Sequence, residues 1–458
     1  MTIRRILPAF MAIFITFTLF FAYIDLMTSH PRALTADMAA RPNSGIRNII
    51  LMIPDGTSIG GITLARWVKS YDAATGTVDP TVQLNMDSMA SGLIRTWWTD
   101  GDIIGAVVDS APAGTAMASG VKTNDNYIGI DVNRNPVDSV LHAAIRSGRS
   151  TGLIATSNIQ HATPAAFSAH HYNRRAYYDI AAQQISAGID VLMGGGRQFI
   201  DIDDARAAGF TYITTREEMK NHQKGRLLAM FADNAMPYDI DKVDEPSLAE
   251  MTHNAIRILS QNRRGFFLMV EGSKIDWAGH ANDPVGLVSD ILAFDRAVGV
   301  ALEFAKNRRD TMVIVAPDHG TGGITMGNRD TCRNYSEMSV NQFVSPLARA
   351  SMTGEGIVHK FDQGRTNLVH VVCEYYGICD LTPAEIAQIR AASDRDMNRT
   401  VGPMMSRRAY IGWTTHGHTG EDVQLFSYLP GGSRIVGTIE NTDIARIISG
   451  IWRLRLNQ

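Results

Sequence analysis

Short, unbroken apolar runs recur along the chain, at 48–53, 152–156, 191–193, 266–270, 312–316 and 423–428. Runs of this length without polar alternation are what strands buried on both faces require. Between them lie stretches whose apolar positions repeat every three to four residues, which predict helices over 137–147, 176–187, 247–262 and 285–306. Buried strands alternating with amphipathic helices predict an α/β fold, a three-layer sandwich with a mostly parallel central sheet and helices on both faces. In that architecture ligands gather beyond the carboxyl ends of the strands. Asp55, Glu271 and Asp318 each follow closely on one of the apolar runs. The alternation weakens over 321–413, where Gly, Arg and Met cluster and helices are predicted only near 366–376 and 383–392. Metal-type residues return after that stretch, so 321–413 reads as an insertion capping the site.

The amino terminus has a different character. Arg4 and Arg5 precede an uncharged run from Ile6 to Ile24, closed by Asp25. Paired arginines before an apolar run mark export, the positive end staying in the cytoplasm. Residues 1–24 therefore read as a signal peptide or a membrane anchor. The run has about the twenty residues a spanning helix needs, and no small-x-small cleavage site follows directly. Either reading places the rest of the chain in the periplasm or on the outer face of the cytoplasmic membrane. Residues 25–46 are polar and rich in Pro and Ala, a linker, and 47–458 read as the main domain, which carries the candidate chemistry below.

Charge narrows the partners. The 458 residues hold 43 Lys and Arg against 46 Asp and Glu, with no basic block, so no nucleic-acid surface is indicated. Three cysteines are too few for a disulfide framework. Cys373 and Cys379 are spaced to allow a local bridge without demanding one, and three buried small side chains are the other reading.

The candidate chemistry lies at the ends of the apolar runs. Asp276 and His280 are four apart and would share one face of a helical turn, able to hold one metal. Asp318 and His319 are adjacent and would diverge on a strand; both can serve only if the strand has ended, which Gly320 permits. His416 and His418 offer an extended His-x-His, of which His418 is preferred. His30, His142, His222, His253, His359 and His370 lack such context and read as surface or packing residues. Ser110, in Asp-Ser-Ala-Pro-Ala-Gly-Thr, opens what reads as a tightly packed helix. A helix start favours an oxyanion and an alkoxide, although a capping serine would look the same. The Gly triplet at 194–196 lacks the Lys-Ser/Thr of a phosphate loop and reads as a turn. Arg174 and Arg175 follow; one of them could fork onto a phosphate.

Taken in order, these segments resemble the alkaline phosphatases, from about Arg47 to the end of the chain and weakly through 321–413. The resemblance implies Ser110 as the phosphorylated nucleophile and Arg174 as the phosphate grip. It implies Asp55 as a bridge between metals, Thr163 and Glu271 as magnesium ligands, Asp276, His280 and His418 on a first zinc, and Asp318 and His319 on a second. Two Zn2+ and one Mg2+ per chain, phosphate monoester substrates, inorganic phosphate as product, a crown-like insertion and a homodimer are implied with it. Two positions depart. His161 stands where the best-known bacterial member has an aspartate, and Trp277 where it has a lysine, which bears on the third metal and not on the reaction class. The rivals share the metal core: phosphodiesterase, sulfatase or phosphomutase. Sulfatases need a Cys/Ser-x-Pro-x-Arg context absent here, and diesterases usually use Thr and lack the Thr163 and Glu271 set. A non-catalytic exported metal or phosphate store would lack the nucleophile or the arginine, and this chain has both.

Overall fold

A computed structural model describes residues 45–333 and 335–456. The expected signal or anchor and the linker up to residue 44 lie outside the described residues. Ten strands form the central sheet: β1 (Asn48–Ile53), β2 (Ala90–Arg95), β3 (Ser150–Asn158), β4 (Val191–Gly195), β5 (Thr211–Ile213), β6 (Leu227–Ala232), β7 (Phe266–Glu271), β8 (Thr311–Val315), β9 (Val423–Tyr428) and β10 (Gly437–Glu440). Their order is β10-β2-β9-β8-β1-β7-β3-β4-β6-β5. Among them only β9 runs against the rest, pairing antiparallel with both β8 and β2. The sheet is therefore mostly parallel, as the apolar runs predict.

The helices framing the site are α1 (Ile59–Lys69), α2 (Ser110–Ser119), α3 (Val140–Arg146), α4 (Ala162–Ser168), α5 (Tyr177–Ser186), α6 (Leu248–Leu259), α7 (Lys274–Ala281), α8 (Pro284–Lys306), α9 (Leu368–Tyr376), α10 (Pro383–Ala391), α11 (Met397–Arg408) and α12 (Thr442–Trp452). Side-chain alternation along the strands divides them between two layers. Ile50, Met52, Phe266, Leu268 and Val270 point into one large apolar core with α1, α6 and α8. Phe267 points the other way and stacks on Phe167 of α4, ring centroids 5.9 Å apart. On that side α2 lies against α4 and α12. All ten residues of α2 are buried, which its run of Ala, Gly, Ser and Thr makes sterically feasible.

Four strands and several helix ends depart from the sequence expectation. β2, β5, β6 and β10 have no counterpart among the six apolar runs. β6 is Leu-Leu-Ala-Met-Phe-Ala, residues equally suited to a helix, and its strand state comes from β4 and β5 beside it. β2 holds Gly92, where an added Cβ would lie 2.5 Å from the Gly437 carbonyl oxygen of β10. The helix expected over 137–147 starts later, because Ser139 caps it by accepting from the His142 N–H. Gly194 and Gly195, expected in a turn, close β4 instead.

The 321–413 stretch leaves and rejoins the sheet edge through a short ribbon in which Thr325 and Met326 pair with Gly412 and Ile411. Its α11 packs on α7 and α8, and Tyr376, Val401, Met404 and Met405 enter the same core as the central strands. Cys373 and Cys379 are bonded to each other at the end of α9.

Candidate metal centre and nucleophile

All the ligand-type side chains but His418 lie at or just after the end of a parallel strand, Asp276 and His280 on the helix that follows β7. Asp55 follows β1, Glu271 ends β7, and Asp318 and His319 follow β8. β1 lies between β7 and β8, so the three loops emerge side by side. His418 arrives from the opposite direction: because β9 is antiparallel to β8, the loop before β9 lies at the edge where β8 ends. Gly56 makes the turn after Asp55 with φ +69°, where a Cβ would stand 2.7 Å from the Asp276 Cα and the Thr321 Oγ1. Gly56→Ala combines a left-handed backbone with overpacking and should cost about 2–4 kcal/mol. Urea unfolding of the variant checks this; an unchanged midpoint would remove Gly56 from the account.

Asp276, His280 and His418 form the first group. His280 Nε2 lies 3.4 Å from Asp276 Oδ2, and His418 Nε2 lies 3.6 Å from Asp276 Oδ1 and 3.2 Å from His280 Nε2. The far nitrogens are spoken for. His280 Nδ1 donates to the His416 carbonyl at 2.6 Å, and His418 Nδ1 to the Val108 carbonyl at 2.9 Å. In its neutral form each ring therefore turns an Nε2 lone pair toward the other and toward a carboxylate. Two lone pairs and an anion converge, and a cation satisfies all three. The His416 ring turns back to the His280 carbonyl, so of the two candidates in this loop His418 enters the cluster.

His319 belongs to the second group. Its Nε2 lies 3.3 Å from Asp318 Oδ2 and 3.6 Å from Asp55 Oδ1, and its ring stacks on His418 at 3.7 Å. Asp318 Oδ1 accepts from the Gly56 and His319 N–H groups, which aims Oδ2 inward. Asp55, Glu271 and His161 present ligand atoms to one another in a third group, with Thr163 on the adjoining first turn of α4.

Burial makes these groups expensive without positive charge. No hydrogen-bond donor reaches either oxygen of Asp55 or Glu271, nor Thr163 Oγ1 or His161 Nδ1, all of them buried atoms. Burial first, then repulsion from Asp318, Asp276 and Glu271, holds Asp55 well above the usual carboxylate range. Burial, with Asp318 and Asp276 adding to it, pushes Glu271 up to about 8. Asp276 moves the opposite way: burial is outweighed by His280, His319 and His418, and it stays ionised. His280 is raised in return, because Asp276 outweighs its burial. His418 is lowered by burial and by His319. The donor set thus fits divalent cations: imidazole with carboxylate in the first two groups, and mainly oxygen in the third.

Ser110 sits above this cluster at the first position of α2, 2 % exposed, its Oγ 3.2 Å from His319 Nε2. Asp109 caps the helix by accepting from the Ala111 N–H at 3.2 Å and also holds Arg174 Nη1. Arg174 Nη2 donates to His161 Nε2 at 3.3 Å. Burial, then the Arg174 charge, drives His161 down to about 3, so the ring is neutral. Its other face meets Trp277 edge-on, centroids 6.0 Å apart. A cavity of about 440 Å³ opens over these residues, lined also by Asp125, Asn126, Arg175, Tyr177, Asp276, His280 and His418.

Asp55, Ser110, His161, Thr163, Arg174, Glu271, Asp276, Trp277, His280, Asp318, His319 and His418 are brought to this one place, and His416 is not. Two others were missed. Asp109 orients Arg174, and its only local signal is that of a helix cap. Thr321 donates from Oγ1 to Asp276 Oδ1 at 2.6 Å, and nothing in the pattern around it marks that role.

The sequence model of the alkaline phosphatase family matches residues 46–454. Alkaline phosphatase 4 of Bacillus subtilis (strain 168) is 38% identical over 425 residues, spanning 89% of this chain and 89% of its own length. The crystal structure of Thermus thermophilus alkaline phosphatase superposes with a TM-score of 0.81 at 28% identity, covering 93% of this chain and 95% of that one. A variant of the alkaline phosphatase from the Antarctic bacterium TAB5, with one histidine changed to aspartate and Mg bound in its M3 site, gives a TM-score of 0.66 at 28% identity over 90% of this chain and 99% of that chain.

Proposed function

The chain belongs to the alkaline phosphatase family and hydrolyses phosphate monoesters, and from that premise we propose that it works through a phosphoserine at Ser110 with two zinc ions and one magnesium ion per chain. Asp276, His280 and His418 would hold one zinc, and Asp55, Asp318 and His319 the other. Asp55, Thr163 and Glu271 would hold the magnesium, with the neutral His161 ring beside them keeping its Nε2 lone pair on Arg174. Bound there, the cations supply the Lewis acidity that favours a serine alkoxide and a departing oxygen.

The chain's own groups do the rest. Ser110 Oγ forms the bond to phosphorus while the bond to the ester oxygen breaks, and that oxygen leaves with a proton as the alcohol. Water then cleaves the phosphorus–Oγ bond, releasing inorganic phosphate and restoring the Ser110 hydroxyl. Arg174, with Nη1 held by Asp109, turns its remaining N–H groups to the phosphoryl oxygens. Pro112 has no N–H and the Ala111 N–H is engaged by Asp109, which leaves the Ser110 N–H to assist. The observation that carries this reading is the Ser110 Oγ placed 3.2 Å from His319 Nε2, at a helix start over the carboxylate and imidazole cluster.

Brief reaction with labelled phosphate followed by acid quench should leave label on Ser110. Label on another residue, or faster turnover of a diester or a sulfate ester than of a monoester, would move the chain to one of the rival chemistries. In this reading the enzyme acts in the periplasm or on the outer membrane face, as a homodimer. The Cys373–Cys379 bond supports an oxidising compartment. Among the described residues no helix is long and apolar enough to cross a membrane.

A further inference from the structure

Behind the cavity wall lies Lys274, whose side chain is 1% exposed. Its Nζ stands 4.0 Å from the Tyr238 ring centroid and 4.7 Å from that of Trp277. It also donates to both oxygens of Glu355, at 3.0 and 3.2 Å. A buried ammonium needs compensation on every side, and here a carboxylate and two aromatic faces provide it. Lys274 and Trp277 are three apart on α7 and so share one face of the helix. Trp277 has its other side toward the cavity, which it lines together with Ser110, Arg174 and Tyr177.

Glu355 comes from the 321–413 stretch. It sits in the short helix Gly354–Ile357, whose place is set on both sides. Thr353 Oγ1 donates to Asp241 Oδ2 at 2.5 Å, and the Glu355 N–H donates to Asn398 Oδ1 at 2.7 Å. An ion pair thus runs from this stretch to the back of the cavity wall.

We propose that Lys274, clamped by Glu355, is a positioning residue that fixes the Trp277 ring as a flat wall for the ester group of the substrate, giving the site a preference for aromatic phosphate monoesters. This rests on the phosphomonoesterase reading. The wall meets the ester group and not the phosphorus, so its effect falls on binding, and KM moves while kcat holds. Inorganic phosphate has no ester group and does not sense the wall.

The test uses the metal-loaded full chain with Glu355→Gln, Lys274→Arg and Lys274→Met, assayed on p-nitrophenyl phosphate and on methyl phosphate, with inorganic phosphate as inhibitor. Glu355 is exposed and is not among the residues lining the cavity, so Glu355→Gln decides the matter even if Lys274→Met does not fold. Expected is a KM for the aromatic ester raised about three- to tenfold in Glu355→Gln and Lys274→Met. Turnover, the methyl phosphate KM and the phosphate inhibition constant should stay put, and Lys274→Arg should keep most of the wild-type value. In a Trp277→Ala background Glu355→Gln should add nothing further. An unchanged aromatic KM in Glu355→Gln overturns the proposal. So does a parallel loss on both esters accompanied by lost zinc or magnesium, which would make the pair a structural support of Asp276. A wild-type protein inert on both esters would sink the hydrolase reading itself.

Discussion

Ser110→Ala is expected to leave a folded, metal-loaded protein whose kcat on phosphate monoesters is lower by about three orders of magnitude or more, or roughly 4 kcal/mol of lost transition-state stabilisation. The side chain is buried and alanine is smaller, so nothing is crowded, and Asp109 still caps α2 through the Ala111 N–H. What disappears is the oxygen 3.2 Å from His319 Nε2, the atom proposed above to bond phosphorus. Arg174 and the cation ligands survive the change, so substrate should still bind. The prediction is therefore a fall in kcat with a modest change in KM, unaltered zinc and magnesium content, and no acid-stable label. A variant that still traps labelled phosphate would transfer the nucleophile's role elsewhere.

Removal of the divalent cations should have the second large effect, and it should depend on pH. Stripped of cations, the protein keeps Asp55 and Glu271 buried beside Asp318 and Asp276, with no hydrogen bond to their oxygens. Glu271 has its pKa raised from 4.5 to about 8. A carboxyl that binds its proton more tightly folded than unfolded contributes stability that is fully present below the unfolded value and is lost as pH rises through the folded one. The chelated protein should therefore lose thermal stability steadily from about pH 4.5 to about 8. Cations remove the repulsion, so the loaded protein should show little of that slope. Differential scanning calorimetry with and without chelator, across that window, is the measurement. A chelated protein with a flat profile would mean that these carboxylates are better solvated than their burial says. Hydrolysis should vanish with the cations and return with zinc and magnesium together.

Much of this was legible locally. A two-residue repeat, a 3.6-residue repeat and an unbroken apolar run have different geometric consequences, and each is written in neighbouring residues. Hence six strands and the helices between them could be read before any contact was known. So could the position of the candidate ligands, because Asp55, Glu271 and Asp318 follow directly on apolar runs that are strands. β6 and β2 escaped because their residues suit a strand only when particular neighbours are present.

What the chain by itself determined was the element types, the chemistry of the donors and their placement at one kind of strand end. What only the tertiary structure decided was who meets whom. The direction of β9 delivers His418 to the cluster, and the reciprocal bonds between His416 and His280 turn the other imidazole away. Asp109 on Arg174, Thr321 on Asp276 and Glu355 on Lys274 join residues far apart in sequence. Those meetings follow from strand order and direction, which the packing of the whole core sets jointly and no local periodicity encodes.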